Sequence, residues 1–513
     1  MTALALFLLL ALVFAVAYLV RLNQLLLGIP DEVAKLSPTR WTRDELVETY
    51  RRLETRPITP ATYAARLPPK LERRYIVTGG SGLVGSAIVR QLLARGQPPS
   101  SIRIVDFRPP RQPFRAAAAA EQDERQNEEE EEKVGFAQAD ISSLPATRRA
   151  FAQPWPASVA RLPLTVFHTA AVIVPADRSP DGPGRAVCEA VNVRGTQNVA
   201  DAAREAGPTC WSRRRAGASP CGRSGCGGFW QVLDEKDFFA PLRPRDEFYA
   251  NYAASKAAAE RIVCGANGPD MRTGCIRPVN GIYGDPTDNM LGAPLAMAVL
   301  PTWVSNIVQS FVHSDNVAVA HLDFEAVLAG SSAAASLPQA GRPFVVTDPN
   351  PPIRNSDMYQ LAGTLAATPF RVVSVPPAAM LLLSYVVEGY VVARRRLGAK
   401  VPWSWLRRLV LDMLLPEVSG EAKHLTPAVF SICAHLVATN ETASKPVRQG
   451  GIGYTGVMTT LEGMVQQVVE WNRNHEEVVA KGKKAVHHQT SLDLAEEIMK
   501  VTHAAPVMAV ASS

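Results

Sequence analysis

Tyr252 and Lys256 stand four residues apart in Asn251-Tyr252-Ala-Ala-Ser-Lys256-Ala-Ala-Ala-Glu260-Arg-Ile-Val. The stretch reads as helix, so the two side chains share one face. A free phenol has a pKa near ~10 and moves protons poorly at neutral pH. An ammonium beside it favours the phenolate and lowers that pKa. Such a tyrosine can take the proton of an alcohol while hydride leaves for a nicotinamide. The lysine can also hold the nicotinamide ribose. On a solvated helix face the same spacing would mean nothing, so the reading needs a dinucleotide site elsewhere in the chain.

That site is legible upstream. Tyr75-Ile-Val reads as a buried strand, running through Thr78-Gly-Gly-Ser-Gly-Leu83-Val84-Gly85 into a helix to Ala94. Gly79 permits a tight turn, Gly82 lets the backbone approach a pyrophosphate, and Gly85 lets helix and sheet pack closely. The helix offers its first N–H groups and positive dipole end to phosphates. A second strand, Ser101 to Asp106, ends in an acid roughly 20 residues past the last glycine, where a ribose-binding carboxylate belongs. Val134 to Ile141 is another strand, ending in Asp140-Ile141. Leu164 to Ala171 is a further strand, opening into Thr169, Ala170 and Ala171. His168 at its end reads as a hydrogen-bonded structural histidine rather than a base. Ala190 to about Ala206, containing Asn192, reads as helix. Strands alternating with helices predict a parallel, doubly wound α/β sheet.

The whole chain of 513 residues, 47% apolar and 20% charged, is expected to be mostly globular. A net charge of +6 with no basic stripe gives no sign of nucleic-acid binding. Seven cysteines without regular spacing argue against a disulfide scaffold. Cys221 and Cys226 resemble half a zinc site but lack a second ligand pair, so no metal is expected. Thr2 to Val20 is uncharged and long enough to cross a bilayer. Arg21 and further basic residues follow, which places the bulk of the chain in the cytosol by the positive-inside rule. A cleaved signal peptide is the rival reading. The expected organisation is an anchor over 1–22, a polar linker over 23–73 with a short helix around Arg43 to Glu54, and a dinucleotide domain over 74–290. A substrate lobe with apolar cap helices over 291–474 and a polar tail over 475–513 complete it. Residues 116–132, polyalanine and then acidic, read as a solvated low-complexity insert.

Together these residues resemble an extended short-chain dehydrogenase/reductase, and within it the 3β-hydroxysteroid dehydrogenase group with its sterol-4α-carboxylate 3-dehydrogenases. Thr78 to Gly85 matches TGxxGxxG, and Tyr252 with Lys256 matches YxxxK. Arg277-Pro278-Val-Asn-Gly-Ile-Tyr-Gly284 matches the segment bordering the nicotinamide. Phe311-Val-His313-Ser-Asp315-Asn316-Val317-Ala-Val-Ala-His321 resembles a signature of the substrate lobe. The resemblance implies a Rossmann-type domain with a smaller C-terminal lobe. It implies a cofactor site of Gly79, Gly82, Leu83, Val84, Gly85, Asp106, Asp140, Ile141, Ala170 and Pro278, shared with Tyr252 and Lys256. Tyr252, Lys256 and Asn192 would be catalytic, Asn192 propping the site. Asp106 should favour NAD over NADP, with Arg108 nearby weakening that preference. Homodimerisation through the helices of Asn192 and Tyr252 is implied by likeness alone.

One segment departs from the family. A strand like LVxTSS, whose serine binds the substrate oxygen, is expected before the YxxxK helix. Gly207 to Gln231 instead is crowded with glycine, arginine and cysteine and does not read as a central strand. Codons for Thr209 to Ala216, shifted by one base, are compatible with Leu-Val-Ser-Thr-Ser-Ser, so a frameshift or mis-splicing across about 208–230 is suspected. Ser212, Ser219 and Ser224 are not carried over, and without the strand activity would be weak or absent.

Toward the C-terminus, Arg342 to Asp348 reads as a strand of the smaller lobe. Met380 to Ala393 is apolar but short for a span and interrupted by Glu388. Val401 to Leu415 is amphipathic, with Trp403 and Trp405. These two segments suit either a bilayer surface or a cap over an apolar pocket. Leu425 to Phe430 and Gly453 to Asn472 resemble the closing segments of fungal members. The expected function is NAD-dependent oxidation of a 3β-hydroxysteroid or sterol at the endoplasmic reticulum membrane. The alternatives are a relative acting on another small molecule, or a non-catalytic NAD-binding membrane scaffold.

Overall fold

The computed structural model describes residues 3–480 except 115–132, 175–176, 180–181, 208, 215–222, 226–227, 331–336, 401–410, 412, 414 and 419–424. The low-complexity insert, Cys221, Cys226 and the two tryptophans at 403 and 405 therefore lie outside the described residues.

Seven parallel strands form the central sheet: β1 Arg74–Thr78, β2 Ile102–Asp106, β3 Gly135–Gln138, β4 Leu164–His168, β5 Thr209–Arg214, β6 Met271–Pro278 and β7 Pro343–Val346. Their spatial order is β7-β6-β5-β4-β1-β2-β3. β1 is the pivot. Its aromatic and β-branched residues are buried on both faces, as a central parallel strand requires. Val77 pairs with Ile104 on one side and Phe167 on the other. The strand order reverses there, which opens a crevice at the carboxyl ends of β1 and β4.

The longer helices belong to the sheet and its lobe, with α3 in place directly after β1. They are numbered with the rest as α1 Ala3–Leu27, α2 Arg43–Thr55, α3 Leu83–Ala94, α4 Gly195–Glu205, α5 Asn251–Gly265, α6 Ser314–Gly330, α7 Asn355–Leu365, α8 Pro377–Lys400 and α9 Thr460–Ala480. α1 is long and apolar enough to cross a membrane, and the window that qualifies it has no buried residue.

Four expectations need correction. The segment 208–230 does contain a central strand. β5 pairs in parallel with both neighbours, Trp211 opposite Val166 and Thr273. Backbone groups of β4 and β6 facing an empty slot must find partners, and ladder bonds do not depend on side-chain type, so tertiary pairing overrides a poor β pattern. After it, Arg223–Gly225 and Gly228–Leu233 form a hairpin that joins a second, mixed sheet beside His435–Ala438. Second, residues 343–346 are not in the smaller lobe. They form β7, the edge of the main sheet, with Phe344 paired to Ile276. Third, residues 23–73 are more than a linker. α2, started by a Thr42–Glu45 capping box, buries Leu46 and Leu53 completely against α7 and α9. Fourth, α9 continues through residues 475–480, so the tail begins as helix.

Candidate active site

The turn between β1 and α3 is shaped by two glycines. Gly79 has φ +75°, and a Cβ there would lie 2.4 Å from the Ala170 backbone nitrogen. A Cβ on Gly85 would lie 2.2 Å from the Gly79 carbonyl oxygen. The turn after β1 and the turn after β4 are thus in backbone contact, and Ala170 N–H donates to the Thr78 carbonyl at 3.0 Å. Gly82 at the start of α3 supplies no side-chain cap. The first N–H groups of α3 are then directed at the crevice, as an anionic ligand requires.

Asp106 lies across this turn. Its carboxylate accepts from the Ser81 N–H at 3.0 Å and the Arg108 N–H at 3.2 Å. Burial pushes its pKa above the ordinary carboxylate range, and those hydrogen bonds oppose the rise. Asp140 accepts from the Ser142 N–H at 2.8 Å and its hydroxyl at 2.7 Å. Ile141 is buried, and its carbonyl accepts from Asn198 at 2.8 Å. Gly79, Gly82, Leu83, Val84, Gly85, Asp106, Asp140, Ile141 and Ala170 all line one cavity of about 1870 Å³. That volume exceeds the ~300–1,000 Å³ of a site for a single drug-sized ligand, leaving room for a second molecule beside a dinucleotide.

Tyr252 faces the same cavity and is 7% exposed. It packs with Val172, Val174, Val187 and Cys188. Lys256, one turn further along α5, is 1% exposed and is not on the cavity wall. Asn192 sits in a π-helical turn, Glu189–Arg194, a local widening that recurs at functional sites. Its amide exchanges both hydrogen bonds with the Val172 backbone, at 2.9 and 3.0 Å. It also donates to Ser255 Oγ at 3.0 Å, which donates to the Tyr252 carbonyl at 2.7 Å. Asn192 therefore ties the turn after β4 to the helix carrying Tyr252. Burial pushes the Cys188 thiol up to about 12, so it is no nucleophile at neutral pH.

The remaining expected residues fall as follows. His168 is fully buried, with Nδ1 2.6 Å from Thr78 Oγ1 and Nε2 3.1 Å from Thr196 Oγ1, a structural placement. Pro278 is buried at the end of β6 and does not line the cavity, whereas Asn280 and Ile282 do. The preceding Arg277 makes a bidentate pair with Glu260 of α5, both bonds 2.7 Å. Burial works against its charge, but Glu260 and Asp237 overcompensate and hold the guanidinium above its usual range.

Sequence reasoning missed two parts of the wall. Tyr249, just before the start of α5, lines the cavity, and burial raises its phenol. The loop 284–292 supplies the second part, with residues 285–290 on the cavity wall. Asp288 gathers it by accepting from the N–H groups of Gly284, Met290, Leu291 and Gly292, and from Gln467 of α9 at 2.6 Å. The turn-forming cluster Asp285-Pro-Thr-Asp-Asn289 is the local signal that was there to read. A second buried carboxylate, Asp348, accepts from Tyr283 at 2.9 Å, His313 N–H at 2.8 Å, Asn316 at 2.6 Å and Thr460 at 2.8 Å. Among the described residues no group of His, Cys, Asp or Glu is placed to hold a metal.

Residues 75–322 match the NAD dependent epimerase/dehydratase family, and the glycine turn with Asp106 fits that cofactor. A 3 beta-hydroxysteroid dehydrogenase/Delta 5-->4-isomerase of Mycobacterium tuberculosis is 28% identical over 281 residues, 54% of this chain and 65% of that protein. The match thus spans less than two thirds of that relative's length. A 3beta-hydroxysteroid-dehydrogenase/decarboxylase isoform 2 of Arabidopsis thaliana is 33% identical over 170 residues, 31% of this chain and 28% of that protein. Among solved structures, MoeE5 in complex with UDP-glucuronic acid and NAD aligns with a TM-score of 0.49 at 17% identity, covering 78% of this chain and 99% of that one.

Proposed function

We propose that this chain, whose residues 75–322 match the NAD dependent epimerase/dehydratase family, oxidises the 3β-hydroxyl of a steroid or sterol to the 3-ketone. The observation that carries the reading is the single cavity. It runs from the glycine turn, past Tyr252, to walls of Met290, Met297, Trp303 and Met358. Those apolar walls suit a fused-ring hydrocarbon better than a sugar. The partial matches to two proteins named for 3β-hydroxysteroid chemistry point the same way.

NAD, when bound, supplies the hydride acceptor. Gly79, Gly82 and Gly85 would leave space for its pyrophosphate, and Asp106 would accept from the adenosine ribose hydroxyls. Tyr252 takes the proton of the substrate hydroxyl. Lys256, on the same face of α5, favours the phenolate. Asn192 keeps the turn at Val172 and the helix of Tyr252 in register. α1 serves as a membrane anchor, with Arg21 and later basic residues on the cytosolic side.

The test is absorbance of NADH with a panel of 3β-hydroxysterols, with and without a 4α-carboxylate. Tyr252→Phe should lower turnover by about 10²–10⁴-fold while NAD affinity stays near wild type. A second reading, a non-catalytic NAD-binding membrane scaffold, is favoured by one observation: no LVxTSS-type serine motif stands at β5. It predicts NAD binding with no turnover of any sterol.

A further inference from the structure

One stretch of the cavity wall is also the seat of α1. Trp303 and Val304 line the cavity and share one apolar cluster with Leu22 and Leu26 of α1 and Leu381 of α8. Asn306 donates to the Leu27 carbonyl at 2.7 Å, and Asn23 accepts from the Ala378 N–H at 3.2 Å. The foot of α1 is therefore fastened both to the cavity wall and to the start of α8.

α8 is also long and apolar enough to cross a membrane, but its polar contacts keep it on the body. Glu388 pairs with Arg178 at 2.6 Å. The carbonyls beside Arg178, Asp177 and Ser179, accept from Asn251 in the first turn of α5 at 3.1 and 2.9 Å. From Pro377 to Glu388, α8 thus runs from the anchor to the helix of Tyr252. Its outward stripe is apolar: Leu382, Leu383 and Val386 are 55%, 46% and 61% exposed. Met297 and Ile432, which line the cavity, are also 37% and 45% exposed and mark its rim. Arg395 and Arg396 are exposed toward the far end of α8. An apolar stripe with basic residues at its end, continuous with a membrane anchor, has the make-up of an interfacial helix.

We propose that α8 lies flat in the lipid surface that α1 enters, with Leu382, Leu383 and Val386 among the acyl chains. The cavity rim then faces the same plane, and an apolar substrate passes from bilayer to cavity without crossing water. This rests on the anchor and sterol readings given above.

The experiment places an environment-sensitive fluorophore at Leu383→Cys in the full chain, with Arg148→Cys as control and the labelling of wild type subtracted. NAD binding certifies the fold of each variant. In phosphatidylcholine/phosphatidylserine vesicles the probe at 383 should shift to the blue and be quenched by brominated lipid, and the probe at 148 should do neither. Vesicle-bound protein with an unquenched probe at 383 overturns the proposal and leaves the anchor standing. Protein that does not bind vesicles overturns both. A blue shift without lipid that grows with protein concentration assigns the stripe to a second copy of the chain and also overturns it. A triple Leu382→Ser/Leu383→Ser/Val386→Ser variant should raise KM for vesicle-borne sterol but not for sterol delivered by cyclodextrin. If no sterol is oxidised by wild type, the sterol reading falls, while lipid docking stands or falls on the quenching alone.

Discussion

Gly85→Ala tests the cofactor cradle at its tightest point. The added Cβ would sit 2.2 Å from the Gly79 carbonyl oxygen and 2.7 Å from the Gly80 Cα. Both are backbone atoms of the phosphate-binding turn, so the turn itself must move by about 1 Å to restore ordinary contact. Overpacking of this kind costs about 1–3 kcal/mol. Alanine within α3 regains about 1 kcal/mol of helix propensity over glycine, so the unliganded fold should melt close to wild type. The displaced N–H groups no longer converge on a pyrophosphate. If the strain is expressed in binding, NAD affinity falls roughly 5- to 150-fold, at about 1.4 kcal/mol per tenfold. Calorimetric titration reads this directly. Thermal melts give a second reading: NAD at about 100 times the wild-type Kd stabilises by about 2.7 kcal/mol, and only about 0.4 kcal/mol remains if affinity drops 100-fold. A Gly85→Ala protein that binds NAD within twofold of wild type would refute the argument that this turn cradles the cofactor.

Two further perturbations separate tertiary roles from local ones. Leu46→Ala should cost about 2–5 kcal/mol in urea unfolding, because Leu46 is fully buried under α7 and α9; a change within about 0.5 kcal/mol would return residues 23–73 to the status of a linker. His435 should make stability acid-sensitive. Burial, and secondarily Arg354, depress its pKa against the opposing Gly28 carbonyl. Its neutral ring accepts from the Val308 N–H at 2.9 Å, a bond that protonation removes. The unfolded chain binds that proton near pH ~6.5 and the folded chain only at lower pH, so this contribution is full above pH ~6.5 and declines as pH falls below it. Urea midpoints at about pH 7.5 and 5.5 should differ more for wild type than for His435→Gln; equal differences would show that another group is responsible.

What could be read from the sequence was what short segments decide alone. The strand–turn–helix from Arg74 to Ala94 depends on glycines within a few residues of each other, and it lies where expected. Tyr252 and Lys256 share a face because an α-helix repeats every ~3.6 residues. Asp106 and Asp140 follow from strands that end in the crevice. The apolar run before Arg21 announces α1 by length and composition alone.

The tertiary structure decided the placements that rest on distant partners. Thr209–Arg214 has a poor β pattern and becomes a central strand because β4 and β6 offer unpaired backbone on both sides. Pro343–Val346 read as a strand of the smaller lobe, and the exposed edge of β6 took it. Leu46 and Leu53 looked like residues of a polar connector until α7 and α9, more than 300 residues away in sequence, covered them. The cavity wall at 285–290 is held in place because Asp288 and Gln467 meet across the fold. In each case the deciding energy is burial or pairing between segments far apart in the chain, which no window of local sequence contains.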